Sequence, residues 1–312
     1  MPLQVKRLGR TFFAEVSGID LRSDVSDDTI AEIRSAWMEH GVLLFRDQRF
    51  TNEEQIAYSK RFGALEHNLR DDNAFVAPLG NLNADGSIRD PNSEQSKFLR
   101  ANQLWHSDSA YFAAPAMLSF LNGRIIDPKM PDGHTQWADM QAAYEDLPQS
   151  KRDAIDDLVA EHDMQTSRSV TGRVLDPDER KKWPPVFHRM TRIHEETGKK
   201  IMYVGSQATR VVGWDDDMKS KKLFIELMQH ATQDKYIYDH KWAQWDFVCW
   251  DNRRVVHRQR PFDEAKYPRV VFRSVVAGTA PDVIDGKGVN EYERFQALHA
   301  QKNKNGQKAA AE

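Results

Sequence analysis

The stretch Arg269-Val-Val-Phe-Arg-Ser-Val-Val-Ala277 decides the fold. It is a short apolar run rich in β-branched residues, the composition of a β-strand. Side chains alternate across a strand, so Arg269 and Arg273, four residues apart, share one face. Further short apolar runs at 116–121, 200–204 and 247–250 read the same way, and helical spacing interrupts them at 138–161 and 217–231. Short strands, turns and a few helices predict a mainly β protein with flanking helices, built on an antiparallel barrel or jelly roll.

The N-terminal 65 residues read as strand, helix, strand, helix, a compact α/β entry. Ser26 is placed to cap a helix that puts Ile30, Ile33 and Trp37 on one face, and Gly41 stops it before the apolar run 42–45. Thr51 and Glu54 have capping-box spacing for a second helix, with Ile56, Tyr58 and Phe62 as buried positions. Residues 66–100 are rich in Asn, Asp, Pro and Gly without a sustained period, which predicts loops and short strands able to act as a lid. Residues 301–312 are polar and Ala-rich, a frayed tail after a single domain spanning 1–300.

Composition narrows the function. With 40% hydrophobic and 29% charged residues the chain has an ordinary folded composition. Its 44 basic and 47 acidic side chains leave a net charge of -3 with no basic stripe, so nucleic acid is not an expected partner. No apolar run is long enough to span a membrane and the N-terminus lacks the apolar core of a signal peptide, so the expected location is the cytoplasm. The single cysteine, Cys249, excludes an internal disulfide and a multi-thiolate metal site, and reads as a small buried hydrophobe. Metal ligands, if any, must be His and carboxylate. The tryptophans Trp37, Trp105, Trp242, Trp245 and Trp250 sit in apolar patterns and read as core.

In Asn102-Gln-Leu-Trp-His-Ser-Asp108, His106 and Asp108 are two apart, so an extended strand presents an imidazole and a carboxylate on one face. Two His and one carboxylate can hold Fe(II) facially while leaving three adjacent positions open, and the second His must come from a distant strand. His257, after Trp250-Asp-Asn-Arg253, is the best candidate. Arg269 and Arg273, facing a barrel interior, need anionic partners, because a buried unpaired charge is costly.

These residues resemble the taurine and 2,4-dichlorophenoxyacetate dioxygenase family, whose members use 2-oxoglutarate. The likeness covers nearly the whole chain and rests on Gly18-Ile-Asp-Leu21, Gly41-Val-Leu-Leu-Phe-Arg46, Arg61-Phe-Gly63, Trp105-His-Ser-Asp108, Thr135 ahead of Asp139-Met-Gln-Ala-Ala-Tyr144, and Trp250-Asp-Asn-Arg253 with His257, Arg269 and Arg273. The runs 102–108 and 230–233 are nearest to the phenoxyalkanoate branch. The resemblance implies a double-stranded β-helix (jelly-roll, cupin-like) core and a homo-oligomer, dimer or tetramer. It also implies His106, Asp108 and His257 as ligands of Fe(II), with 2-oxoglutarate as cosubstrate and O2 as oxidant. Thr135 and Arg269 would bind the distal carboxylate of 2-oxoglutarate, Arg273 the acidic head of a small anionic substrate, and Asn102 and His67 would line the substrate pocket.

Asp132-Gly-His-Thr135 departs from the usual Gly-Gly-Asp-Thr, and the interval from His257 to Arg269 is one residue longer than the family's. That extra residue leaves open a shift of the two arginine roles by one neighbour, with Arg258 and Arg260 as rivals in the loop. His188-Arg-Met-Thr-Arg192 stands where relatives carry His-Pro-Val-Val-Arg, without a functional reading. The expected reaction is hydroxylation of an acidic phenoxyalkanoate-type ether with C–O cleavage and release of succinate and CO2. Taurine, alkylsulfonate or alkylsulfate oxidation is the alternative within the family. A zinc hydrolase using the same three ligands and a metal-free small-acid binding protein are the alternatives outside it.

Overall fold

The computed structural model describes residues 3–67 and 74–278, together with the strand pair Val283–Ile284 and Lys287–Gly288. The expected tail at 301–312 lies outside the described residues, as do positions 68–73 of the expected lid.

The N-terminal part holds β1 (Gln4–Arg7), β2 (Ala14–Ser17), α1 (Asp27–His40), β3 (Val42–Phe45) and α2 (Asn52–Lys60). The rest of the lid region contributes β4 (Ala77–Gly80) and α3 (Glu94–Arg100). Then follow β5 (Leu118–Ile126), β6 (Thr135–Asp139), α4 (Met140–Glu145), α5 (Gln149–Ile155), β7 (Val159–His162), α6 (Met164–Val170), α7 (Pro177–Lys182), β8 (Val186–Arg189), β9 (Thr191–Ile193), β10 (Lys200–Met202) and β11 (Ala208–Val211). The chain continues through α8 (Asp217–Ala231), β12 (Ile237–His240), β13 (Phe247–Asp251), β14 (Val255–Gln259) and β15 (Arg269–Val276).

The two N-terminal helices form for the reasons the sequence gives. Ser26 accepts from Thr29 N, α1 buries Ile30, Ile33 and Trp37, and Gly41 closes it by donating to Trp37 O at 2.7 Å. Gly41 adopts φ +69, and a Cβ there would lie 2.9 Å from the Arg254 side chain, so both backbone and space require glycine. Thr51 and Glu54 close a capping box on α2.

A seven-stranded sheet in the order β1-β2-β3-β13-β5-β15-β4 packs against a three-stranded sheet in the order β12-β6-β14. Only β2 and β3 pair in parallel within the larger sheet. Val42, Leu44, Leu121, Val248, Trp250 and Val271 from the large sheet meet Trp137 and Val255 from the small one in a single apolar cluster. Burial of such side chains stabilises by roughly 1.5–3 kcal/mol each. A second cluster, with Phe224 and Leu227 of α8, Ala143 and Tyr144 of α4, and Ile201 of β10, secures the helices on one flank. The molecule is mainly sheet with flanking helices.

Several sequence boundaries shift. The helix expected over 138–161 is α4 and α5, separated at Pro148, and its last residues are β7. Proline has no N–H to donate and fixes its own φ, so it begins α5 instead of continuing α4. The strand expected at 116–121 runs from Leu118 to Ile126, and α6 and α7 were not anticipated. Trp37, Trp242 and Trp250 are buried as expected, whereas Trp105 and Trp245 are half-buried. Cys249 is fully buried, which pushes its thiol up to about 12. No helix among the described residues is long and apolar enough to cross a membrane.

Candidate active site

His106 and His257 are brought together by an isolated antiparallel bridge. His106 N donates to His257 O at 3.0 Å and His257 N donates to His106 O at 2.8 Å. Their rings lie 4.2 Å apart between centroids. The short segment Trp105 to Asp108 turns the Asp108 carboxylate back toward both, with Oδ1 3.9 Å from His106 Nε2 and Oδ2 3.9 Å from His257 Nε2. One ligand atom from each of the three lies within 4.8 Å of the others, and all three residues are buried.

The electrostatics favour metal-binding protonation states. His106 Nδ1 sits 2.7 Å from Leu104 O, a carbonyl that can only accept, so Nδ1 carries the proton and the Nε2 lone pair faces the site. Burial lowers the His106 imidazolium and pushes His257 down to about 3, where His106 and Arg273 add repulsion. Burial alone would raise the Asp108 carboxyl, but Arg273, the two imidazoles and Ser119 hold it well below the usual carboxylate range. Two neutral imidazoles and one carboxylate are therefore ready as donors near neutral pH. His257 Nδ1 is buried and has no hydrogen-bond partner among the described residues.

Asp108 is held from every side. Arg273 Nη1 donates to Oδ1 at 2.8 Å, Ser119 Oγ donates to Oδ2 at 2.7 Å, and Asp108 N donates to Asn252 Oδ1 at 3.1 Å. Asn252 Nδ2 in turn donates to Ser119 Oγ at 2.8 Å, and Trp250 Nε1 donates to Asn252 Oδ1 at 2.9 Å. Each carboxylate oxygen retains a further lone pair for a metal.

Arg269 presents the opposite situation. It is only 2% exposed, its Nε donates to Gly133 O at 2.9 Å, and its Nη2 lies 3.4 Å from Thr135 Oγ. Among the described residues no carboxylate pairs with it, and burial lowers its guanidinium to about 10. A buried cation with an unfilled need for an anion, beside a hydroxyl, is a place for a carboxylate ligand.

A single open cavity joins these groups, lined by His106, Asp108, His257, Thr135, Arg269 and Arg273, with Asn102, Leu79, Leu121, Trp250, Gln259 and Val271 completing its wall. Seven of the eight residues singled out in the sequence thus meet in one space. His67 is exposed, its ring tilted against that of Phe75 with centroids 4.6 Å apart, and it is not among the lining residues. The rival arginines are engaged elsewhere. Arg258 donates to Gln136 and lies over the Trp105 ring, and Arg260 pairs with Asp132 and Asp239. Arg269 and Arg273 both lie on β15 and both line the cavity, although the pairing of β15 with β5 shifts register between Val270 and Val271.

Sequence reasoning missed Ser119, Asn252, Gln259 and Trp242. A serine and an asparagine within or beside apolar strands carry a weak signal, since such polar residues need buried partners. Trp242 carried no signal beyond hydrophobicity, yet its Nε1 donates to Thr135 Oγ at 2.9 Å.

Comparison with known proteins agrees with this geometry. Residues 4–275 match the family described as taurine catabolism dioxygenase TauD, TfdA family. The chain is 35% identical over 261 residues to the alpha-ketoglutarate-dependent 2,4-dichlorophenoxyacetate dioxygenase of Cupriavidus pinatubonensis, covering 81% of this chain and 90% of the relative. It is 32% identical over 280 residues to the (S)-phenoxypropionate/alpha-ketoglutarate-dioxygenase of Sphingobium herbicidovorans, covering 87% and 93%. The crystal structure of AAD-2 in complex with Mn(II) and N-oxalylglycine superposes with a TM-score of 0.84 at 35% identity, covering 91% of this chain and all of that one.

Proposed function

This chain belongs to the taurine catabolism dioxygenase TauD, TfdA family and is a dioxygenase dependent on Fe(II), 2-oxoglutarate and O2; from that premise we propose which residues serve the reaction and which acid is oxidised. His106, Asp108 and His257 hold the iron, Arg269 and Thr135 the distal carboxylate of 2-oxoglutarate, and Arg273 with Asn102 the prime substrate. The single observation that carries the reading is that Arg269, buried beside Thr135 and without a carboxylate partner among the described residues, shares one cavity with the His–Asp–His trio. The zinc-hydrolase reading gives no account of that cation, and the binding-protein reading, which accounts for the cation, leaves the convergence of His106, Asp108 and His257 without a reason.

The donor set fits Fe(II): two imidazole nitrogens and a carboxylate oxygen, deprotonated and converging on one space. When bound, Fe(II) with 2-oxoglutarate and O2 supplies hydroxylation of an aliphatic carbon, with 2-oxoglutarate oxidised to succinate and CO2. The chain's own residues bind and orient. Arg269 offers a planar guanidinium for two-pronged capture of a carboxylate, and the Thr135 hydroxyl adds a second contact. Arg273, anchored on Asp108, presents its remaining N–H groups to an acid next to the metal site. Leu79, Leu121, Trp250 and Val271 keep the cavity wall apolar.

The substrate is a phenoxyalkanoate-type ether. Its carboxylate meets Arg273, and hydroxylation of the carbon between ether oxygen and carboxylate gives a hemiacetal. That product expels the phenol and leaves a 2-oxo acid, breaking the C–O bond. The named activities of the relatives on 2,4-dichlorophenoxyacetate and (S)-phenoxypropionate support this class. The antiparallel two-sheet core is read as a double-stranded β-helix, the protein as a cytoplasmic homo-oligomer of one domain. A panel of aryloxyalkanoates, alkylsulfonates and alkylsulfates given to the Fe(II)-loaded enzyme with 2-oxoglutarate tests the class. Phenol release is expected, and sulfite or sulfate release alone would reassign the substrate.

A further inference from the structure

Trp242 touches both halves of the clamp assigned to 2-oxoglutarate. Its indole N–H donates to Thr135 Oγ at 2.9 Å, and the Arg269 guanidinium carbon lies 5.9 Å from its ring centroid. The ring is buried, with His240 edge-on at 4.9 Å. Gly123 leaves room for it: a Cβ at that position would come within 3.0 Å of Trp242 Cε3.

The consequence lies in the polarity of one hydroxyl. A threonine oxygen has two lone pairs and one proton. Trp242 Nε1 takes one lone pair and Arg269 Nη2, at 3.4 Å, approaches the other. Indole and guanidinium nitrogens only donate, so neither accepts the Thr135 proton. Thr135 Oγ donates to no acceptor among the described residues, and the residue lines the cavity. Its proton is thereby left for a group inside that cavity, and a carboxylate is the strongest acceptor of that kind.

We propose that Trp242 is a positioning residue that fixes the Thr135 hydroxyl as a donor to the distal carboxylate of the cosubstrate, making the site select a 2-oxo diacid over a 2-oxo monoacid. The inference rests on Thr135 and Arg269 being the distal-carboxylate clamp. Without the indole N–H, the Thr135 hydroxyl is free to turn its proton toward protein acceptors and its lone pair toward the incoming anion. A ring that merely filled space would affect both classes of 2-oxo acid alike.

The test is equilibrium binding by titration calorimetry to the Mn(II)-loaded protein without O2, using 2-oxoglutarate and 2-oxopentanoate, which has the same chain length and no distal carboxylate. Trp242→Phe keeps an apolar ring and removes the donor. It is expected to weaken 2-oxoglutarate about 10-fold, the loss of one hydrogen bond to a charged group, and to leave 2-oxopentanoate within about 2-fold. Thr135→Val should weaken 2-oxoglutarate at least as much, and the double variant should be no worse than Thr135→Val alone. If Trp242→Phe weakens both ligands equally, or leaves 2-oxoglutarate unchanged while Thr135→Val weakens it, the proposal is overturned and the clamp stands. If neither Thr135→Val nor Arg269→Ala affects 2-oxoglutarate, the clamp itself is wrong and the proposal falls with it. Gly123→Ala, which presses on the indole from behind, serves if Trp242→Phe does not fold. It should reproduce the split, weakening 2-oxoglutarate about 3-fold more than 2-oxopentanoate, and affinities for both ligands that stay at their wild-type values or fall by the same factor would overturn the proposal.

Discussion

Arg273 Nη1 lies 2.8 Å from Asp108 Oδ1, so the guanidinium assigned to the substrate is bonded to the carboxylate assigned to the metal. One ion pair therefore connects the two halves of the site. Burial would lower the Arg273 guanidinium, yet Asp108, Tyr111 and Glu66 around it keep it raised and charged. Replacing Arg273 with Ala should raise KM for the acidic substrate by roughly 10- to 100-fold, the loss of a charge-assisted hydrogen bond, and change KM for 2-oxoglutarate little. Steady-state kinetics with each substrate varied in turn checks this, and an unchanged substrate KM would remove Arg273 from its assigned role.

Asp108 is the only anionic member of the trio, so Asp108→Ala leaves two imidazoles and no charge to offset a divalent cation. Metal analysis after loading with Fe(II) should find the wild type near stoichiometric and the variant essentially empty. Circular dichroism should show that the fold survives. Retained iron and turnover would remove Asp108 from the ligand set.

Ser119 and Asn252 hold Asp108 without facing the cavity themselves. Ser119→Ala frees Asp108 Oδ2 and leaves Asn252 Nδ2 without its partner. Fe(II) affinity should fall by roughly 10-fold, as for other groups that orient a ligand, with little change in the Kd of 2-oxoglutarate for protein saturated with metal. An unchanged affinity would show that Arg273 and the backbone suffice to position the carboxylate.

Away from the cavity, Asp251 is fully buried, accepts from His194 Nε2 at 2.8 Å and is paired with Arg253 at 2.8 Å. Burial would raise its carboxyl, but His194 and Arg253 bring it down to about 2. The folded value lies below the ordinary 3.8, so the carboxylate's contribution is fully present above the ordinary value and is lost as pH falls through about 2. The contribution is about 2 kcal/mol. Thermal unfolding from pH 5 to pH 2 should show a steeper fall in Tm for wild type than for Asp251→Asn. Parallel curves would mean that the ion pair contributes nothing measurable.

The parts legible in the sequence are those carried by local spacing. Ser26, Gly41, Thr51 and Glu54 act within a few residues of themselves, and α1 and α2 follow them. The two-residue step from His106 to Asp108 and the four-residue step from Arg269 to Arg273 each fix a shared face, and the structure keeps both on the cavity. What stayed hidden depends on contacts between distant segments. Trp242 reaches Thr135 across 107 positions, and Asn252 reaches Ser119 across 133. No periodicity records such a pairing, so Trp242 looks like core and Asn252 like a motif letter. Pro148 was readable as a break, but the apolar spacing on either side of it resembled one continuous helix.

The measurement that bears most directly on the account is the joint yield of succinate and phenol from the Fe(II)-loaded enzyme supplied with O2, 2-oxoglutarate and a phenoxyalkanoate. The account predicts that the phenoxyalkanoate strongly stimulates succinate formation and that phenol appears in equimolar amount. Succinate formation that is indifferent to the phenoxyalkanoate, with no phenol released, would contradict it.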